Sequence, residues 1–122
     1  MLGDLGGQTL LFFHGTPGSR LTLSAEDLIV KSLGVRILLP DRPGYGTSDL
    51  KPDRTLVDWP KDVLELADHL GIDSFAVVGE SGGGPHALAC ASSCPGRVTM
   101  ALLLSSPSPA NRRSVTKGMC LG

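Results

Sequence analysis

The chain has 122 residues, 41% of them hydrophobic and 19% charged, with a formal net charge of −1. That length fits one small domain, and that composition favours a globular chain over a disordered one. Near-neutrality offers no basic field for nucleic acid or anionic lipid, no stretch approaches the ~20 apolar residues of a membrane span, and the N-terminus lacks a signal-peptide pattern.

Residues 1–7 are glycine-rich and carry no regular pattern. Thr9-Leu10-Leu11-Phe12-Phe13 is then a continuous apolar run of strand length. Its lack of alternation suits a strand covered on both faces, as in parallel sheets. It stops in His14-Gly15-Thr16-Pro17-Gly18, whose glycines and proline forbid continuation. A helix is expected over 24–33, closed by Gly34. A second strand, 35–39, is stopped by Pro40 and followed by Asp41-Arg42-Pro43-Gly44-Tyr45-Gly46-Thr47-Ser48, a loop dense in turn residues.

The second helix is expected over 56–70, with Thr55 or Asp58 as N-cap and Pro60 tolerated in its first turn. Val63, Leu66, Ala67 and Leu70 fall at i, i+3, i+4 and i+7 and mark its buried stripe. A third strand, 75–78, runs into Gly79-Glu80-Ser81-Gly82-Gly83 and then into a helix ending near Cys94, before Pro95 and Gly96. A fourth strand is expected over 98–104. Strands and helices alternate without a repeat or linker, so the fold class is α/β with a parallel β-sheet and flanking helices.

Gly79 to Gly83 fits the G-x-S-x-G nucleophile elbow, where a serine sits on a strained turn between strand and helix. The turn brings backbone segments together, so the positions two before and two after the serine must lack bulk. An ordinary strand-to-helix turn is the competing reading. A phosphate loop is excluded because Pro85 and His86 follow Gly84 where lysine is needed. A dinucleotide fingerprint is disfavoured, because Ser81 stands where glycine is required and residues 97–106 carry no carboxylate.

Three cysteines without a zinc-like partner set argue against a disulfide framework and for a reducing compartment, so a cytoplasmic location is expected. Cys90 and Cys94, one helical turn apart, read as small buried residues rather than a metal or redox pair.

Three separated signatures, Phe13-His14-Gly15-Thr16-Pro17-Gly18, Asp41-Arg42-Pro43-Gly44-Tyr45-Gly46-Thr47-Ser48 and Val78-Gly79-Glu80-Ser81-Gly82-Gly83, together resemble the α/β-hydrolase fold family. The resemblance covers Leu10 to Pro107. It implies a single partial hydrolase domain with its core at 9–107, whose four strands correspond to the family's third to sixth, and a segment 108–122 that begins a cap or is a disordered tail. It implies that the second and fourth strands occupy the two outside positions of the sheet. It also implies that Ser81 is the nucleophile, that the backbone N–H groups of Thr16 and Gly82 form the oxyanion hole, and that His14, Gly15 and Glu80 adjoin the substrate. No metal and no cofactor are implied; the partner is a small-molecule ester, thioester or amide, since relatives that open epoxides or displace halide carry aspartate in place of the serine.

In the family the catalytic acid and then the histidine follow the serine in chain order. After Ser81 there is one histidine, His86, and no Asp or Glu. Five helical residues set His86 ~7.5 Å along the axis and ~140° around it, a poor position for reaching the hydroxyl; a helix-surface or pocket-lining place is expected. His14 is expected to shape its loop, His69 to be solvated, Asp41 to fix its own loop, and Arg20 and Arg42 to be loop or surface charges, with contact to a substrate as their alternative role. The alternative reading is a non-catalytic, truncated hydrolase-like domain.

Overall fold

The apolar runs at 9–13 and 75–78 become the two central strands of a five-stranded sheet. In the computed structural model, which describes residues 1–107, the elements are β1 (Leu2–Gly3), β2 (Gln8–Phe13), α1 (Asp27–Ser32), β3 (Val35–Leu38), α2 (Trp59–His69), β4 (Phe75–Glu80), α3 (Gly84–Ser93) and β5 (Val98–Leu104). The strand order is β1-β3-β2-β4-β5. Every pairing is parallel except β1 with β3, and Leu11 sits between Leu38 and Val77.

Strand periodicity of two divides the apolar residues between two cores. Leu11, Phe13, Leu38 and Val77 point to one face, where Val63, Ala67, Ala87 and Cys90 of α2 and α3 meet them. Phe12, Ile37 and Val78 point to the other, where Val30 of α1 packs. Burial on both faces is why the runs do not alternate in sequence.

Four details differ from the sequence reading. Residues 1–7 do contain regular structure, because Leu2 and Gly3 pair antiparallel with Ile37 and Arg36. Gly3 reaches that edge at φ +88 and donates its N–H to Asp27 Oδ1 at 2.8 Å. As a result β3 is not an outside strand, while β5 is. The first helix starts at Asp27 rather than 24, after i to i+3 turns onto the carbonyls of Ser19, Leu21 and Leu23. Val30 is its one buried residue, so packing gives a longer helix nothing to stand on.

The second helix opens with a 3-10 turn over Leu56–Asp58, where the Asp58 carboxylate accepts from the Thr55 N–H at 2.8 Å. Its buried stripe begins one turn earlier than expected, at Trp59, and ends at Ala67; Leu70 is exposed. The third strand runs two residues further than expected, to Glu80. The segment 108–122 lies outside the described residues. No helix among the described residues is long and apolar enough to cross a membrane.

Candidate active site

At the carboxyl end of β4 the chain turns sharply into a 3-10 turn over Ser81–Gly83 and then into α3. Ser81 is solvent-exposed and adopts φ +46, a left-handed conformation that non-glycine residues rarely hold without compensation. The flanking glycines give the reason. A β-carbon on Gly79 would lie 2.5 Å from the Gly83 carbonyl oxygen, and one on Gly83 would lie 2.1 Å from that of Phe13. Only glycine lets strand, turn and helix close this tightly.

The loop after β2 lies against this turn. A β-carbon on Gly15 would be 3.4 Å from Ser81 Cβ, and one on Gly82 would be 2.7 Å from Thr16 Oγ1 and 3.5 Å from Thr16 N. The Thr16 N–H donates to no acceptor among the described residues. Gly82 is the second residue of the 3-10 turn, whose first amides have no partner within the turn. Glu80 is half-buried, with its carboxylate beside Gly15.

Beneath the loop lies Arg42, 2% exposed. Contrary to the loop or surface charge expected from sequence, it is the most heavily bonded side chain of the region. Its Nη2 donates to the carbonyls of His14 at 3.0 Å and Gly15 at 3.2 Å and to Thr16 Oγ1 at 3.1 Å. Its Nη1 lies 3.2 Å from both the Gly82 carbonyl and His86 Nδ1. Tyr45 stacks on the guanidinium, 4.7 Å from ring centroid to Cζ. No carboxylate pairs with Arg42 among the described residues. A clue did exist in the sequence, an arginine directly after a strand stop at the carboxyl end of a parallel sheet, but nothing in the sequence told its direction.

Asp41 and Arg20 behave as expected. The Asp41 carboxylate accepts from the Arg20 and Thr47 N–H groups and pairs with the Arg20 guanidinium, pinning its own loop. Burial raises its pKa, but those bonds outweigh burial and leave it below the usual value. Gly46 turns at φ +54 directly over that carboxylate.

Neither nearby histidine is free. His14 is fully buried, not open to a substrate; Nδ1 donates to the Gly15 carbonyl at 2.9 Å and Nε2 accepts the Arg42 N–H at 3.4 Å. Burial lowers its pKa. His86 is buried as well, turned inward against Trp59 rather than onto the helix surface. Burial, and then the charge of Arg42, push its pKa down to about 4. Its Nδ1 lies 3.2 Å from both the Arg42 guanidinium and the Gly82 carbonyl. His69 is exposed at the end of α2.

Among the described residues no cluster of His, Cys, Asp and Glu has the composition of a metal site. A groove of about 560 Å³ lies next to the site rather than at Ser81, between the loop after β3 and α2, lined by Pro40, Pro43, Leu50, Trp59, Val63 and Leu66.

The strained serine, its glycine-cleared turn and the neighbouring loop amides have a counterpart at the level of whole sequences. Residues 8–116 match the family model described as alpha/beta hydrolase fold. The chain belongs to the α/β-hydrolase fold family. Among curated relatives, an epoxide hydrolase of Caballeronia sordidicola is 34% identical over 104 residues, 83% of this chain and 32% of that protein. A non-heme chloroperoxidase of Streptomyces lividans is 34% identical over 116 residues, 93% of this chain and 42% of that protein. Among solved structures, a thermophilic esterase from Thermogutta terrifontis superposes with a TM-score of 0.78 at 27% identity, covering 90% of this chain and 41% of that one. This hydrolase-fold chain thus spans 32% to 42% of these relatives' length.

Proposed function

We propose that Ser81 is the nucleophile of a hydrolase that cleaves small carboxylic esters, thioesters or amides. The observation that carries this reading is the conformation of Ser81 itself: exposed, at φ +46, on the end of a buried strand, with Gly79 and Gly83 cleared around it. Strain of this kind persists only when the surroundings enforce it, and a plain connecting turn has no use for it. A hydroxyl rather than a carboxylate at this position supports acyl transfer over epoxide opening.

In this reading the Ser81 Oγ bonds to the carbonyl carbon as its proton passes to a base, and the carbonyl electron pair moves onto oxygen. The amides of Thr16 and Gly82 receive that oxyanion. Collapse expels the alcohol, thiol or amine with a proton from the base, leaving an acyl-serine that water cleaves. Glu80 borders the substrate, whereas Gly15 is buried in its loop like His14. His14 and His86 are buried and already bonded, so neither is placed to serve as that base. Free, buried Cys90 and Cys94 suit a reducing, cytoplasmic setting.

The same histidines favour a second reading for the 122-residue chain alone, that it is non-catalytic. Without a base, a serine hydroxyl near neutral pH is a weak nucleophile. Mass spectrometry after exposure to a fluorophosphonate separates the possibilities. The whole protein gains one adduct on Ser81 that Ser81→Ala abolishes, and an adduct elsewhere or none excludes the nucleophile assignment. Turnover of an activated ester by the isolated chain, lost in Ser81→Ala, excludes the second reading.

A further inference from the structure

We propose that Arg42 is a positioning residue that sets the direction of the oxyanion-hole amides, an inference that rests on the Ser81 reading above. Arg42 touches three separate segments: it donates to the carbonyls of His14 and Gly15 and the hydroxyl of Thr16 in the loop after β2 and to the Gly82 carbonyl in the serine turn, and it lies against His86 on α3. The consequence follows from peptide geometry. In a planar trans peptide the C=O and N–H point in opposite directions. Drawing the Gly15 carbonyl inward onto Nη2 therefore turns the Thr16 N–H outward, to the side where Gly82 and Ser81 stand. Drawing in the His14 carbonyl does the same to the Gly15 N–H.

A loop of Gly, Thr, Pro and Gly has no secondary structure to fix these planes, so the guanidinium supplies what a helix or strand supplies elsewhere. The residue type matters. Its flat fork reaches acceptors on two sides at once, whereas a lysine ammonium is a single point of donation. The location rules out the obvious alternative, a substrate-binding cation, because the side chain is sealed from solvent by Tyr45 and the loop itself. Leaving a cation buried with neutral acceptors and no carboxylate is costly. The bare Nε, without a partner among the described residues, adds to that cost. The arrangement makes sense if the carbonyls are held for the sake of their amides.

The test compares 15N-labelled wild type with Arg42→Met and Arg42→Lys. Backbone order parameters at Gly15 and Thr16 should be near ~0.85 in wild type, fall below ~0.6 in Arg42→Met, and recover in part in Arg42→Lys, with α2 unchanged. Rigid loop amides in a folded Arg42→Met overturn the proposal, and so does loss of the fold in both variants, which makes Arg42 a stability residue. A kinetic arm follows phosphonylation of Ser81 in the whole protein. The maximal rate should drop about 100-fold in Arg42→Met, the scale of a small misplacement at a reacting centre, with the half-saturating probe concentration unchanged. A change in that concentration alone contradicts the proposal. Failure of wild type to react at all counts against the Ser81 reading, while the order parameters still decide the role of Arg42.

Discussion

Thr16 and Gly82 approach so closely that a β-carbon at position 82 would sit 2.7 Å from Thr16 Oγ1 and 3.3 Å from Thr16 Cβ. These are side-chain atoms of an exposed loop, which has room to give. Gly82→Ala is therefore expected to fold, with the loop displaced and the phosphonylation rate at Ser81 reduced by roughly tenfold or more. Gly83→Ala is a different case, since its β-carbon meets the Phe13 carbonyl of a central strand at 2.1 Å. It should lose about 3 kcal/mol or fail to fold, which denaturant unfolding of the two variants checks side by side.

Left-handed backbone at a non-glycine residue costs roughly 1–2 kcal/mol, part of which glycine returns as chain entropy. Ser81→Gly should thus be more stable than Ser81→Ala by up to about 1 kcal/mol, although both remove the hydroxyl. Equal urea midpoints for the two would show that the turn is unstrained.

Acid should weaken the fold before carboxylates protonate. His86, ordinarily near 6.5, is held down to about 4 by burial and by Arg42. A depressed pKa means that the unfolded chain binds the proton first, so stability is full above about pH 6.5 and declines as pH falls toward 4. The full difference corresponds to roughly 3 kcal/mol as an upper value. His14 shifts in the same direction. Urea midpoints from pH 7.5 to 4.5 should fall steadily in wild type and less steeply in His86→Asn; parallel slopes would remove His86 as the cause.

The two sheet edges are not equivalent. β1 covers β3, whereas β5 presents Met100, Leu102, Leu103 and Leu104 to solvent with its outer backbone edge unpaired among the described residues. Such an edge pairs with other chains. The isolated chain should self-associate, and Met100→Lys with Leu102→Lys should reduce it in sedimentation velocity. A monodisperse wild-type monomer would contradict this.

Much of this was readable in advance, for reasons that particular residues make plain. The strands at 9–13 and 98–104 announce themselves as apolar runs ended by glycine, proline and serine, and the serine turn is fixed by backbone closeness that only glycine satisfies. What escaped was tertiary. Leu2 and Gly3 form a strand because β3 offers an edge, not because of any local preference. Leu70 keeps the helical period but falls beyond the end of the core, while Trp59 gains a place between Phe13 and His86. Arg42 sits in a loop whose composition reads as surface; its burial depends on three carbonyls and a hydroxyl supplied by residues 26 to 40 positions away.

A crystal structure of the Ser81 phosphonate adduct of the whole protein tests the oxyanion-hole geometry most directly. The account predicts a phosphoryl oxygen between about 2.7 and 3.1 Å from both the Thr16 and Gly82 nitrogens, with Arg42 still on the Gly15 carbonyl behind them. An adduct whose oxygen faces solvent, or is held by other donors while Thr16 and Gly82 stand apart, would contradict it.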